Sequence, residues 1–100
     1  MTEKLNTASV FTLGKVVFTR GVNDLIADNE QFAKFVMESL GRHSRGDWGE
    51  LSQEDKQANE YSLNKYLRIL SAYQIPEHPK IWIINEADRS ATTILFPEEY

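Results

Sequence analysis

Lys80-Ile81-Trp82-Ile83-Ile84-Asn85-Glu86 is the stretch on which the fold turns. Four large apolar residues in succession, with no glycine or proline among them, read as a β-strand. Two runs of the same kind flank it. Tyr66 to Ile75 is rich in aromatic and branched residues and stops before Pro76, and Ala91 to Phe96 contains Thr92-Thr93-Ile94-Leu95-Phe96. Pro76 and Pro79 bracket the first connection, and Ala87-Asp88-Arg89-Ser90 supplies the second. Connections this short favour antiparallel neighbours. Trp82, set among isoleucines, reads as core.

Upstream the period changes. Val10 to Thr19 is a β-rich run interrupted by Gly14, which predicts a strand over 15–19 with a bend or bulge at the glycine. Val22, Leu25 and Ile26 fall at helical spacing, giving a short helix after Gly21 with Thr19 as its cap. Asp28 with Gln31 three residues later resembles a capping box, and behind it Phe32, Phe35, Val36 and Leu40 form one apolar helical face. Gly41 stands where a left-handed terminating residue belongs. Ser52 opens another helix, with Asp55 at its third position and Gln53, Glu54 and Asp55 suiting the exposed N–H groups. That helix, over Lys56 to about Asn64, has only Ala58, Tyr61 and Leu63 as apolar contacts. The expectation is an α+β domain: a small antiparallel sheet of three or four strands with one face covered by two or three helices. Residues 1–9 read as a flexible polar segment and 10–100 as a single domain.

One hundred residues with 41% apolar content suit one domain with one core. The absence of cysteine excludes disulfides, thiolate catalysis and cysteine-based zinc sites. No apolar run approaches the roughly 20 residues that cross a bilayer, and none has signal-peptide character, so the expected location is the cytoplasm and no membrane partner is expected. A formal charge of −4 is unhelpful to nonspecific nucleic-acid affinity, which phosphate neutralisation dominates.

The richest local chemistry lies in Gly41-Arg42-His43-Ser44-Arg45-Gly46-Asp47-Trp48-Gly49, which holds three of the five glycines. Arg42 and Arg45 offer bidentate donors for a phosphate or carboxylate, and His43 titrates near neutral pH. The competing reading makes Trp48 a packing anchor and Asp47 a loop hydrogen-bonder, with the cations in water. The spacing matches neither a phosphate-binding loop nor a dinucleotide fingerprint. Asp88-Arg89-Ser90 is the second candidate: Asp88 and Ser90 have ordinary turn roles, while Arg89 is free to join Arg68 or Glu86 in a polar network. Together these give binding candidates Arg42, His43, Arg45, Asp47, Trp48, Arg68, Asp88 and Arg89. A catalytic reading takes His43 as general acid or base, Asp47 or Glu86 as its partner, and Arg45 and Arg89 as oxyanion stabilisers. Neither His43 nor His78 has a neighbour at metal-ligand spacing, so no metal and no cofactor is assigned. His78, between Glu77 and Pro79, reads as an exposed loop residue.

Gly41-Arg42-His43, Gly46-Asp47-Trp48-Gly49, Arg68-Ile69-Leu70-Ser71-Ala72-Tyr73, Trp82-Ile83-Ile84, Glu86-Ala87-Asp88-Arg89-Ser90, Thr92-Thr93 and Pro97-Glu98-Glu99-Tyr100 resemble a family of small bacterial proteins of unassigned function, often found on plasmids and other mobile elements. The resemblance covers about the last sixty residues and departs at Asn85 and Ala91, where other small polar residues are usual. It implies a role in maintenance, defence or counter-defence without selecting one. The function expected is that of a small noncatalytic protein-interaction or regulatory module, its partner another protein or a second copy of the chain. The alternative is a small nuclease or nucleic-acid-directed toxin built on His43 and the arginines.

Overall fold

Strand β1 (Lys15–Phe18) alternates inward Val16 and Phe18 with outward Lys15 and Val17. It leads directly into helices α1 (Arg20–Asp28) and α2 (Glu30–Ser44). Helix α3 (Gln53–Lys65) follows, then β2 (Ile69–Tyr73), β3 (Ile81–Asn85), β4 (Ala91–Leu95) and a 3₁₀ turn (Pro97–Glu99). These elements come from a computed structural model that describes residues 9–100. The segment expected to be flexible, 1–9, thus lies outside the described residues except for Ser9.

The α+β class holds, with three helices and four strands among the described residues, in the order β1-β4-β3-β2. The β2–β3 and β3–β4 pairs are antiparallel, as their short connections require. The sheet is mixed rather than wholly antiparallel, because β1 runs parallel to β4 with Val16 opposite Thr92 and Phe18 opposite Ile94. No hairpin joins these two strands, so the alternation rule never constrained them. Contacts at both ends of β1 fix its direction. Lys15 N–H donates to Ser90 O at 3.0 Å and Thr19 N–H to Ile94 O at 3.0 Å. Gly14 has φ +66°, and a Cβ there would strike the Ser90 carbonyl.

Three helix ends differ from expectation. Thr19 makes no side-chain cap. The Glu99 carboxylate reaches back from the 3₁₀ turn instead, accepting from Thr19 Oγ1 at 2.6 Å and Gly21 N–H at 2.9 Å. Asp28 is the last residue of α1, and Asn29 caps α2 by accepting from Phe32 N–H at 3.0 Å. Gly41 does not end α2. The buried stripe Phe32, Phe35, Val36, Ser39, Leu40 continues through His43 and Ser44, and packing of that stripe carries the helix past the glycine. The turn comes at Gly46, φ +85°, whose N–H donates to His43 O. Ser52 does cap α3, accepting from Asp55 N–H at 3.1 Å.

One sheet face carries Val16, Phe18, Tyr73, Ile81, Ile83 and Ile94, packed against Val22 of α1 and Phe32, Phe35, Val36 and Leu40 of α2. His78 is not a free loop residue: its ring stacks on Phe35 at 5.8 Å and meets Phe32 edge-on, closing the end of this core. The opposite face carries Leu70, Ala72, Trp82, Ile84 and Leu95 by register. Trp82 therefore lies outside the main core, half-buried on the second face. Helix α3 lies along the outer edge of β2. Its Asn59 side chain imitates a neighbouring strand, donating to Leu70 O at 2.6 Å and accepting from Leu70 N–H at 3.3 Å. Two residues on, Ala72 N–H donates to Trp48 O and Ala72 O accepts from Glu50 N–H at 2.7 Å. These contacts close the β2 edge. Among the described residues, no helix is long and apolar enough to cross a membrane.

Candidate functional site

The turn after α2 is folded onto itself. Arg42 grips Asp47 with two nitrogens, Nε to Oδ2 at 2.7 Å and Nη2 to Oδ1 at 3.2 Å, and its guanidinium lies 4.8 Å from the Tyr73 ring centroid. Asp47 Oδ1 also accepts from Gly49 N–H, and Tyr73 O–H donates to Asp47 O. The hydrogen bond from Arg42 holds the Asp47 carboxyl below its ordinary range, and the same contact raises the guanidinium. Burial, ahead of any charge, pushes the Tyr73 phenol well up. Trp48 is the anchor the sequence suggested, 3% exposed, with Nε1–H donating to Glu60 at 2.8 Å. Gly49 leaves no room for a side chain: φ is +77°, and a Cβ would fall on the Ala72 carbonyl oxygen and the Tyr73 ring.

His43 faces inward. It is 0% exposed, enclosed by Phe11 at 5.2 Å and Trp48 at 5.8 Å, with Nδ1 2.6 Å from Ser71 Oγ. Burial lowers its pKa from 6.5 to about 4; the nearby Asn85 amide opposes this and the Arg89 charge adds to it. Residues on three strands complete a polar seam through the core. Thr92 Oγ1 lies 2.6 Å from Leu13 O and 2.7 Å from the Asn85 side-chain amide. Its one proton goes to Leu13 O, which can only accept, so Thr92 Oγ1 must accept from Asn85 Nδ2. This assignment of the amide supplies a partner for Asn85 Nδ2, a buried atom otherwise left without one. His43 Nε2 is buried with no hydrogen-bond partner among the described residues, and Nδ1 makes the ring's one hydrogen bond, to Ser71 Oγ. The seam comprises Ser71 with His43, and Asn85 with Thr92 and Leu13, side by side in the core.

Arg89 has φ +63° and turns its side chain under the sheet end. Nη1 donates to Leu67 O at 2.7 Å, Glu86 O at 3.1 Å and Ala87 O at 3.3 Å, and Nη2 to Ser62 O at 2.9 Å. It thereby ties the end of α3 to the β3–β4 turn, joining Tyr66 and Leu67 N–H as a donor to Ser62 O. The expected network of Arg89 with Arg68 or Glu86 side chains is replaced by these carbonyls. Arg68 and Glu86 instead approach each other at 3.8 Å, both half-exposed. Asp88 has the turn role expected of it, accepting from Ser90 N–H at 3.0 Å, and the Ser90 hydrogen bonds lower its pKa.

Only part of the sequence-derived constellation comes together. His43 and Arg89 meet beneath Phe11, whose ring lies 5.8 Å from the Arg89 guanidinium carbon. Arg42 and Asp47 pair outside that seam, Arg45 is exposed, and Glu86 lies beside Arg68. Among the described residues, no group of three His, Asp or Glu side chains could hold a metal ion. Sequence reasoning passed over Ser71 and Asn85 and took Thr92 for an ordinary strand residue. The available signal was a polar residue at successive inward positions of three apolar strands.

A separate concavity lies between α3 and the second sheet face. It has a volume of about 400 Å³, with Leu70, Trp82 and Ile84 in its lining and Tyr100 beside them. The Tyr100 ring meets Trp82 edge-on at 5.8 Å, and its hydroxyl accepts from Arg68 Nη1 at 3.3 Å, which raises the Arg68 pKa. Comparison with family models, curated proteins and solved structures gave no match.

Proposed function

We propose that this chain is a noncatalytic protein-interaction module, serving a bacterial mobile element as the resemblance of its last sixty residues implies. One observation carries the reading: polar side chains of the junction are engaged inside the fold, whereas the open cleft between α3 and the second sheet face is mostly apolar. Arg42 holds Asp47, His43 is buried with Nδ1 on Ser71, Trp48 holds Glu60, and Arg89 serves backbone carbonyls. A general base must reach the proton it removes, and the burial of His43 gives phosphodiester cleavage no support. Acidic net charge points the same way for nucleic acid.

The test pairs crosslinked co-purification from a bacterial host at physiological salt with incubation of the pure protein with labelled RNA and DNA. A recurrent stoichiometric protein partner and intact nucleic acid are expected. Repeated recovery of no specific protein defeats the reading. Cleavage lost in a folded His43→Gln variant would move the assignment to hydrolysis.

A further inference from the structure

Among the described residues, no apolar helix is laid across the sheet face opposite α1 and α2. Helix α3 buries only Asn59 and Ser62, two polar residues, and so grips the β2 edge without filling the space above Leu70, Trp82 and Ile84. The cleft left there has a direction. Asn59 pairs with Leu70, and Leu67 N–H donates to Ser62 O, so α3 runs antiparallel alongside β2. Asp55, one turn before Asn59, therefore lies toward Ala72, and Arg68 lies at the opposite end. Both are exposed. Arg68 stands 3.8 Å from Glu86, longer than a hydrogen bond, and keeps donors for an incoming anion.

We propose that this cleft docks a segment of another protein that inserts one bulky apolar side chain between a carboxylate placed against Arg68 and a cation placed against Asp55. This rests on the interaction-module reading above. The volume suits a single large side chain with its flanking backbone, at the lower end of the roughly 300–1,000 Å³ typical of ligand sites. Recognition is by side chains because strand addition at β2 is barred: Asn59 and the Trp48–Glu50 segment already occupy Leu70 and Ala72. The opposite charges at the two ends set the direction of the bound chain.

The test starts from a random-peptide display library selected on the wild-type protein, followed by affinity measurement for Arg68→Glu, Asp55→Lys and the double variant, each checked for folding by circular dichroism. Enriched peptides should carry a large apolar residue with an acidic residue on one side and a basic one on the other. Their amide-shift perturbations should fall on Leu70, Trp82, Ile84 and Tyr100. Arg68→Glu should weaken binding about tenfold or more, and a charge-swapped peptide should recover affinity on the double variant. Enriched peptides that perturb another surface overturn the docking site while leaving the interaction-module reading in place. Self-association of the protein through this cleft, measured by sedimentation, also overturns it. Failure to enrich any peptide overturns the docking site, and joined to failure to recover a host partner it removes the broader reading too.

Discussion

Acidification should destabilise this protein through His43 well before most carboxylates titrate. The imidazole is neutral in the folded core with a pKa of about 4, against 6.5 when solvated. Between those values the unfolded chain holds a proton that the folded chain does not, so stability falls as pH is lowered through that window. At about 1.4 kcal/mol per pH unit, the full gap is worth about 3 kcal/mol, a large share of a small domain's stability. Urea unfolding followed by tryptophan fluorescence is suited to this, since Trp48 lies 5.8 Å from the His43 ring. The midpoint should drop steadily from about pH 6.5 to about pH 4 in wild type, and much less steeply in His43→Gln. Lowered pKa values of Asp47, Asp88 and Glu99 add their own losses at more acid pH in both proteins, which is why the difference between the two curves is the measurement. Nitrogen NMR should find the folded-state ring neutral down to about pH 4. Parallel curves across this window, or a His43 titration near 6.5, would refute the reasoning.

Other substitutions probe the supports of the junction and the β2 edge. Gly49→Ala, forced into a left-handed backbone and against the Ala72 carbonyl, should cost about 2–4 kcal/mol in denaturant unfolding; a loss under about 1 kcal/mol would mean the 48–50 segment relaxes freely. Asn59→Leu should cost about 2 kcal/mol and speed hydrogen exchange at Leu70, because it strips both partners from that residue's peptide groups. Asp47→Asn should cost no more than about 1 kcal/mol, with the penalty shrinking in high salt, since the Arg42–Asp47 pair is 38% and 50% exposed. Arg89→Lys should fail to restore wild-type stability in thermal melts, as a single ammonium cannot span the four carbonyls that the planar guanidinium joins.

The fold class was legible because Ile81–Ile84 and its two neighbours are separated by connections too short for anything but antiparallel pairing. The α2 stripe was equally readable, yet its end was misplaced. Gly41 carries the usual stop signal, but His43 lies three residues after Leu40 and seven after Val36, on the same buried face. A histidine flanked by Arg42 and Ser44 looks solvated in one dimension, and only its helical phase reveals the core position. Arg89 was unreadable for another reason: its partners are backbone carbonyls of Ser62, Leu67, Glu86 and Ala87, which no side-chain pattern announces. The same holds for Glu99, which serves a helix start 78 residues earlier in the chain. Trp82 was misplaced because four consecutive apolar residues leave the inward face of β3 ambiguous until the buried Asn85 is set against Thr92.

The parallel pairing of β1 with β4 also governs when the molecule can assemble. Every rung of that ladder joins the first strand to the last, and the Thr19 and Gly21 bonds to Glu99 span nearly the whole chain. Helices α1 and α2 can form early on a ribosome, but their main apolar face has no complete sheet to rest on until β4 has emerged. Loop closure over so many residues comes late and slowly compared with the local hairpins. A nascent chain halted before Ala91 would hold β1 without its neighbour, leaving the Val16 and Phe18 side chains without Thr92 and Ile94 beside them.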